Sequence, residues 1–560
     1  MNKGKYLGLV MVLAMTLTLI VGVSAQEMKV IHTGVGMVGG DPESIDPNLN
    51  EASQGNNIIR TMYIGLTTQD EETGDVVPGL ATDWSQSEDG LTWTFNMIHD
   101  IPWAKYNADT DTVEQVMDEA GNPRYVTAND VVYSWKRVLD PATASTYAYV
   151  PAEFVVNGTA VMAGEASVDD LAVKAVDDYT FEITAPEAVG FATNIYGLWM
   201  VNPVPQWAIE ECGDSWTEAD CMPSYGPFVL KDWSHDESIT VVKNPFWPGT
   251  DYVPQAQADE VVFHFLDPQT QFAEYQADTL DAINPPIEEL DRIKSDAVLS
   301  QELSIGTNPC TYYIGINAEK PVVGESVHLR RALSYAVDRQ SIVDNVTKGG
   351  QIPAQWFSRP GLNAAPTLET NPDLGAKFDV AKAQEELTLA LDELGVASAA
   401  DIPTITLAYN DSSGHAAIMQ AIQQMWSTEL GITVQLDPRD PSTYFSSLSE
   451  DAPQLYRSGW CQDYPDADNF LRGVFRSDSQ QNDPNFVNAD FDALVDEARL
   501  ATDTEERRAL YAQAEEILSV DQVGMIPIYW YTAVQMTKPY IERTYSVVNR
   551  EAYENWNITQ

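Results

Sequence analysis

An arginine and an aspartate six residues apart, Arg457 and Asp463, enclose a short stretch that contains a tryptophan and a cysteine. If the stretch is extended, at about 3.3 Å per residue, the two charges lie about 20 Å apart along the backbone, the end-to-end reach of an extended tetrapeptide. A guanidinium binds a carboxylate and an aspartate binds an ammonium through charge-assisted hydrogen bonds. The pair could therefore hold both ends of a zwitterionic chain. The alternative is a surface strand with two unrelated charges.

The composition indicates a large, acidic, globular protein. Its 560 residues are too many for a single hydrophobic core and suggest about three or four domains. A net charge of −53 repels phosphate backbones and anionic lipid headgroups, so nucleic acid and the membrane surface are not expected partners. The six histidines are not clustered, which disfavours a metal site. We expect no cofactor.

The first 25 residues have the features of a secretory signal peptide. Lys3 and Lys5 precede an apolar run from Leu7 to Val23, and the small residues Ser24 and Ala25 offer a cleavage site. A retained transmembrane anchor is the alternative, although the run is short for one. No cysteine follows the run, so we expect an exported protein, periplasmic or associated with the cell envelope, without a lipid anchor. Removal of the peptide's two lysines would take the net charge from −53 to −55.

Four cysteines, Cys212, Cys221, Cys310 and Cys461, suggest two disulfides in an oxidising compartment, in any of three connectivities. Cys212 and Cys221 are close enough in sequence to close one loop. Cys310 and Cys461 would then close a very long loop, worth about 5 kcal/mol in the chain-entropy treatment. The absence of a C-x-x-C motif disfavours structural zinc and thioredoxin-like chemistry.

Two short motifs resemble ligand sites but lack an essential part. Residues 34–39 form a G-x-G-x-x-G string, but Pro42 and Pro47 forbid the helix that a dinucleotide-binding motif needs next, so we expect a glycine-rich loop. Residues 107–118 partly follow a calcium-binding loop. Thr112 replaces its glycine and Asp118 its bidentate glutamate, so a solvated acidic loop is the expectation.

The rest of the chain alternates predicted strands and helices, as in a mixed α/β protein. Thr127 is expected to cap a helix at its start, and Gly395 and Gly431 to end two others, each of which leads to a strand. A strand is predicted to restart after Cys310, at 311–317, and an aromatic strand covers 526–531. Because we find no linker of low complexity, we expect the domains to be interleaved.

In their order along the chain, these segments resemble those of the oligopeptide- and dipeptide-binding proteins that serve ABC importers, the extracellular solute-binding proteins of family 5. The resemblance covers about residues 46–539 and is closest to the oligopeptide-binding branch, whereas 465–470 looks nearer the dipeptide branch. It rests on the motifs Ser44 to Pro47, Pro78 to Ala81, Ser87 to Phe95, Val126 to Trp135, Gly226 to Trp233, Cys310 to Tyr313, Leu329 to Leu333 and Arg457 to Tyr464.

The resemblance implies a two-lobed fold of the periplasmic-binding-protein type II, with an additional inserted domain and a cleft between the lobes. The lobes are expected to be discontinuous in sequence. The expected division is lobe I at 26–63, 208–309 and 533–560, the inserted domain at 64–207 and lobe II at 310–532.

The resemblance also implies roles for individual residues. In the oligopeptide-binding branch, the residue at Asp463 pairs with the peptide ammonium, and the residue at Arg457 meets the peptide carboxylate. His415, at the head of a predicted helix, resembles a residue that meets the carboxylate of peptides of some lengths; a buried histidine at a helix terminus is the alternative. Cys310 and Cys461 form a disulfide in that branch. Residues expected to line the cleft, with generic core positions as the alternative, are Trp460, Gly459, Tyr312, Tyr147 and Tyr531.

The implied function is the capture of short peptides in the cleft, by a monomer without enzymatic activity, and their delivery to the permease subunits of an ABC importer. Binding of an oligosaccharide by the same fold is the alternative, because aromatic platforms hold sugars without partners for terminal charges. A secreted hydrolase is a second alternative, because the many acidic residues leave room for a carboxylate pair placed for glycoside hydrolysis. The chain has no H-E-x-x-H, G-x-S-x-G or P-loop motif.

Overall fold

The computed structural model describes residues 28–36, 40–548 and 550–559. The predicted signal peptide, residues 1–25, lies outside the described residues, and so do residues 37–39 of the glycine-rich string. The described chain is a mixed α/β protein, as the sequence predicts.

A mixed sheet of eleven strands runs through both halves of the described chain. Its first five strands come from the N-terminal half, and the other strands come from residues after 302. The strand Ile352–Pro353 pairs with Met525–Thr537 outside the main order. In order across the sheet, the other strands are Phe228–Ser234, Ser238–Lys243, Glu260–Phe265, Val30–Val35, Ala282–Ile283, Met525–Thr537, Leu303–Ile316, Leu455–Cys461, Ile405–Asn410 and Val434–Arg439.

Four smaller sheets and a set of helices complete the described chain. The four-stranded sheet has the order Ala81–Gln86, Thr92–Met97, Thr180–Thr184 and Val173–Asp177. Three hairpin-like pairs join Thr67–Gln69 to Val76–Pro78, Ala104–Asn107 to Thr112–Gln115, and Ile541–Glu542 to Asn557–Ile558. The α-helices are Ser53–Met62, Ala128–Leu139, Tyr149–Ala152, Gly158–Met162, Ala192–Ile195, Gln206–Cys212, Pro268–Gln276, Leu290–Ser295, Leu299–Glu302, Val327–Tyr335, Arg339–Ile342, Val380–Leu394, Ser413–Leu430, Pro441–Asp451, Ala467–Phe475, Ala489–Leu500 and Thr504–Glu516.

Two long antiparallel strands, Leu303–Ile316 and Met525–Thr537, join the two halves of the large sheet, and we call them the crossing strands. The strand predicted at 311–317 is confirmed as far as Ile316, but it begins earlier than expected, at Leu303, and runs through Cys310. Its pairing with the other crossing strand shifts register between Thr307 and Thr311. Pro309, which has no N–H to donate, lies in this gap.

Separate apolar cores fill the two halves. The largest core contains buried residues between 31 and 265 and from the C-terminal segment, whereas two others contain residues between 312 and 529. The halves also touch directly: the ring of Tyr464 stacks on Phe191 with centroids 5.4 Å apart, and Arg499 donates to Glu153 at 2.9 Å. These cores fit an interleaved chain, and the domain boundaries given above stay a prediction.

Local signals at helix ends are confirmed. Thr127 and Asp130 form a reciprocal capping box at the start of Ala128–Leu139. Gly395 and Gly431 end their helices with φ of 66° and 70°, a left-handed conformation that glycine adopts at little cost.

The two rejected motifs have other local structures. The expectation of a glycine-rich loop is wrong for Gly34, which lies inside the strand Val30–Val35, where a Cβ atom would come within 2.5 Å of the Gln271 side chain. No helix follows this string until Ser53. Residues 104–115 form a short exposed hairpin, not a twelve-residue calcium loop. In the described parts of the chain, no group of three or more His, Cys, Asp or Glu side chains could hold a metal ion.

Among the described residues, no helix combines the length and the apolar character that crossing a bilayer requires.

Both disulfides form, Cys212 with Cys221 and Cys310 with Cys461. The second joins neighbouring strands of the large sheet, and its two cysteines are 151 residues apart in the sequence. Replacement of Cys310 and Cys461 together by serine is expected to lower the free energy of unfolding by about 2–5 kcal/mol, because the unfolded chain regains the entropy of an open loop. Urea unfolding with and without a reductant checks this. The double variant should be insensitive to reductant at this site, and equal stability of variant and wild type would contradict the expectation.

Candidate ligand-binding site

A cavity of about 550 Å³ lies along the crossing strands, in the size range of small-molecule sites. Its walls come from both halves of the chain, which places it in a cleft between them. The N-terminal half contributes Gly34, Asn57, Phe263 and Ile283, the C-terminal segment contributes Arg543, Glu551 and Tyr553, and the other half contributes Cys310, His415, Cys461, Tyr529 and Tyr531.

Arg457 is a buried guanidinium without an acidic partner. It is 8% exposed and makes no ion pair with any described residue. Its Nη2 donates to the Tyr531 hydroxyl at 2.9 Å, its Nη1 lies 3.3 Å from Asn410 Oδ1, and its Nε is buried without a hydrogen-bond partner. Its Cζ lies 4.8 Å from the centre of the Tyr312 ring. Phenol rings and an amide thus hold the cation in place and leave its charge uncompensated.

His415 lies in the first turn of Ser413–Leu430 and lines the cavity. Its Nδ1 is 3.2 Å from the Tyr312 hydroxyl. Burial, and to a lesser extent the charge of Arg457, lowers the pKa of His415 to about 2, so the imidazole is neutral. It can offer a carboxylate a hydrogen bond but not a positive charge. His415 is therefore a partly buried histidine at a helix terminus that lines the cavity, and its contact with a peptide carboxylate stays a prediction.

Asp463 is a buried carboxylate held by one amide. It is 8% exposed, and its Oδ2 accepts a hydrogen bond from Asn469 Nδ2 at 3.0 Å. The same amide's Oδ1 accepts from the Asp463 backbone N–H at 3.0 Å and from Trp460 Nε1 at 3.1 Å. No described residue forms an ion pair with Asp463 within 4 Å. The carboxylate is thus fixed in direction and lacks a counter-ion.

Three further residues near Asp463 belong to the N-terminal half of the chain, the half opposite its own. Burial, with the charge of Asp463 next in effect, raises the pKa values of both Tyr147 and Tyr149. The charge of Asp463 also acts on the guanidinium of Arg60. Interactions of this kind fall off with distance, so the three side chains lie near the carboxylate, on the other side of the boundary between the halves. Asp463 therefore lies at the cleft and not on the outer surface.

The other residues predicted to line the cleft occupy different positions around it. Tyr531 lines the cavity, and Gly459 lies next to it, where a Cβ atom would come within 3.5 Å of Tyr531 and Arg457. Tyr312 is completely buried beneath the Arg457 guanidinium, so its placement on the cleft surface is wrong. Tyr147 packs on Trp199, with ring centroids 5.5 Å apart.

The stretch that joins the two charges is extended along only part of its length. The strand Leu455–Cys461 ends before Asp463, and a bend carries the chain to the helix Ala467–Phe475. The segment is therefore extended from Arg457 to Cys461 and bent at its C-terminal end. The cause is the next helix, whose Asn469 draws the Asp463 backbone and side chain toward it.

Sequence reasoning missed several residues that shape the site. Asn469 holds Asp463, Asn410 and Tyr529 surround Arg457, and Arg60 faces Asp463 from the other half. Asn469 is only six residues after Asp463, so a search for short-range polar partners could have found it. Arg60 lies about 400 residues away in sequence and carries no local signal.

Ligand affinity is expected to depend on pH through Asp463. Burial raises its pKa to about 7, although the Asn469 hydrogen bond and the charge of Arg60 act in the opposite direction. Because the folded-state pKa is above the ordinary value, the free protein takes up a proton as the pH falls through about 7. A ligand cation needs the ionised form, so its affinity should fall about tenfold for each pH unit below 7 and stay level above it.

Calorimetric titration of trialanine across this pH range measures the effect, with Asp463→Asn as the control that should lose it. An affinity of the wild type that does not change between acid and neutral pH would contradict the assignment.

The sequence matches the family described as bacterial extracellular solute-binding proteins, family 5, over residues 75–482, and the chain belongs to this family. It is similar to the periplasmic oligopeptide-binding protein OppA of Salmonella typhimurium, with 32% identity over 90% of this chain and 88% of that protein. Its structure is similar to that of Haemophilus influenzae OppA in complex with RPPGFSPFR, with 28% identity, a TM-score of 0.81 and coverage of 96% of this chain and 100% of that chain.

Comparison with the murein tripeptide-binding protein MppA of Escherichia coli bears on the relation of the two lobes. One MppA structure matches with 26% identity and a TM-score of 0.81, over 96% of this chain and 99% of that chain. Its unliganded open form matches with a TM-score of 0.68 at the same identity. Both structures are of MppA and match at the same sequence identity, so the difference between the two TM-scores comes from conformation. The arrangement described here differs from the open form, in agreement with the burial of Arg457 and Asp463.

Proposed function

We propose that this protein captures short peptides in their zwitterionic form between its lobes and delivers them to an ABC importer. One observation carries the proposal: Arg457 and Asp463 lie at the two ends of one short segment, both are buried, and neither has an ion-pair partner among the described residues. An unpaired buried charge costs several kcal/mol. A ligand with a carboxylate at one end and an ammonium at the other supplies both missing charges.

The assignment of the two ends follows from charge. Asp463 binds the α-ammonium, and Asn469 keeps the carboxylate directed toward it. Arg457 binds the α-carboxylate, with a hydrogen bond from the neutral His415 as a further contact for ligands whose length brings the carboxylate near it. The cavity of about 550 Å³ leaves space for side chains and water between the ends. Broad sequence tolerance follows, because peptide backbone groups are the same in every ligand.

Relatives support a peptide as the ligand class. The Haemophilus influenzae protein is described in complex with RPPGFSPFR, and a Listeria monocytogenes OppA of 25% identity is described as bound to peptide. An oligosaccharide carries no terminal charges and would leave Arg457 and Asp463 unpaired. A hydrolase would need a second carboxylate beside Asp463, and the charged side chain that acts on the pKa of Asp463 is instead the cation Arg60. We therefore propose a binding protein without enzymatic activity.

The proposed cellular setting follows from the same family. The protein acts outside the cytoplasmic membrane as a monomer and meets the permease subunits of its importer with the loaded, closed cleft. Its strongly acidic surface, with a net charge of −53, keeps it soluble at this location and away from anionic lipid.

Identification of the ligands that stay bound through purification tests the ligand class. The purified protein is denatured, the released small molecules are separated from the chain, and their masses and fragmentation are measured. Short peptides with free termini are expected from the wild type, and far fewer from Asp463→Ala prepared in parallel. Glycans as the main released species, or hydrolysis of peptides during incubation with the protein, would overturn the proposal.

A further inference from the structure

Arg60, in the last turn of Ser53–Met62, is a second cation without a partner near the site. None of its N–H groups makes a hydrogen bond, and it makes no ion pair, within the chain that the structure describes. The centre of the Trp199 ring lies 5.9 Å from its Cζ. In a chain with 84 acidic residues against 31 basic ones, a partly buried arginine that pairs with none of them is unexpected.

A small cavity of about 40 Å³ adjoins this guanidinium. It is lined by Arg60, Arg550, Trp199 and Asn202 together with residues of the segments 63–69 and 194–198. Arg550 is already paired, because its Nη2 donates to Glu554 at 2.5 Å. Asn202 is not: it is 2% exposed, its side chain makes no hydrogen bond with a described residue, and its Oδ1 is buried without a partner. An unpaired cation and an unpaired amide thus meet at one cavity.

The cavity lies beside the proposed ammonium site. Trp199, one of its walls, packs its ring against Tyr147, whose pKa the nearby charge of Asp463 helps to raise. Burial and the charge of Arg550 lower the pKa of Arg60 to about 10, whereas the charge of Asp463 acts to raise it. When an ammonium occupies Asp463, that compensating negative charge is neutralised. The positive charge of Arg60 is then less compensated than in the empty protein, so an anion beside it is more stabilising.

We propose that Arg60 and Asn202 form a carboxylate-binding subsite that selects peptides whose first residue has an acidic side chain. The inference rests on the proposed peptide-binding function and adds a substrate preference to it. The ligand's first residue would place its ammonium on Asp463 and its side-chain carboxylate on Arg60.

Size and chemistry agree with a carboxylate. A water molecule needs about 10–15 Å³ of such space, so the cavity holds about three atoms of that size, the number in a carboxylate group. A guanidinium binds carboxylates through paired hydrogen bonds. The Nδ2 of Asn202, which makes no hydrogen bond with a described residue, can donate another, whereas its Oδ1 is an acceptor and adds nothing to anion binding. A free anion such as chloride carries the same charge and could occupy the cavity in place of the ligand's carboxylate. The experiment therefore has to distinguish the two anions.

The test compares two peptides that differ in one group, Glu-Ala-Ala and Gln-Ala-Ala, by calorimetric titration of wild type, Arg60→Gln and Arg60→Lys in chloride and in gluconate buffer. Wild type should bind Glu-Ala-Ala at least about tenfold more tightly than Gln-Ala-Ala. Arg60→Gln should lose this preference while its affinity for Gln-Ala-Ala stays within about threefold of wild type. Arg60→Lys, which keeps the charge, should retain part of the preference. Lys174→Gln removes one positive charge from a side chain that is 61% exposed, and it should behave as wild type.

Each outcome decides the matter. A preference in both buffers, or a preference that gluconate unmasks because chloride otherwise occupies the cavity, supports the subsite. Equal affinities of wild type for the two peptides in both buffers overturn it and leave the proposed function intact. Failure of wild type to bind either peptide overturns the proposed function, and the subsite with it. Thermal unfolding of each variant identifies a misfolded protein, and Arg60→Lys then carries the comparison.

Discussion

Replacement of Asp463 by alanine is expected to weaken the binding of a short peptide at least tenfold. The ligand ammonium would then be buried without a counter-ion, and truncation of one partner of a buried charge pair typically costs about 2–5 kcal/mol of binding free energy. The residue is 8% exposed, so water cannot fully replace the carboxylate when the cleft is closed. Because Asn469 would also lose its acceptor, the loss should appear mainly in the dissociation rate.

Titration calorimetry with trialanine measures this effect once co-purified ligand has been removed by unfolding and refolding. Glu119→Ala, which removes a carboxylate from an exposed loop, is the matched control and should leave the affinity unchanged. Asp463→Asn separates charge from shape, because an amide fills the same space and should still lose most of the affinity. Affinity of Asp463→Ala equal to that of wild type would contradict the ammonium role.

Replacement of Asp466 by alanine is expected to have the largest effect on stability, about 3–5 kcal/mol of unfolding free energy. Asp466 is 1% exposed and accepts two hydrogen bonds from Arg507, at 2.7 and 2.9 Å. Asn363 donates to it as well, at 2.8 Å. Its removal would leave the Arg507 guanidinium buried without an anion. It would also uncap Ala467–Phe475, the helix that carries Asn469 to Asp463.

The contribution of the cap can be separated from that of the ion pair. Asp503 caps Thr504–Glu516 through a hydrogen bond from the Glu506 N–H, but it is exposed and makes no ion pair with a described residue. Asp503→Ala should therefore cost only about 0.5–2 kcal/mol. Urea unfolding of both variants gives the two values. Equal losses would mean that the buried pair with Arg507 adds nothing beyond the cap.

The parts of the fold that local chemistry determines could be predicted from the sequence. The capping box at Thr127 and the helix ends at Gly395 and Gly431 follow from side-chain hydrogen bonds and backbone freedom within a few residues. The continuity of the strand Leu303–Ile316 could not be predicted, because its stability across Pro309 comes from a partner strand more than 200 residues away. The prediction therefore covered only the part of this strand after Cys310.

The residues of the site also divide into those that the local sequence indicates and those that it does not. Arg457 and Asp463 attracted attention because their charges flank an aromatic and a cysteine in a short stretch, and the structure buries both. Tyr312 was misplaced because an aromatic near a charge in sequence gives no sign of whether it lies on the cleft surface or beneath it. Arg60 and Asn202 were missed because their significance lies in the absence of partners in three dimensions.

The central claim is that Asp463 neutralises the free amino terminus of a peptide, and one comparison tests it most directly. The affinities of trialanine and N-acetyl-trialanine are measured by calorimetry for the wild type and for Asp463→Ala. Acetylation removes the ammonium, so the wild type should lose at least about tenfold in affinity, whereas the variant should discriminate little between the two peptides. Equal affinity of the wild type for both peptides would contradict the account.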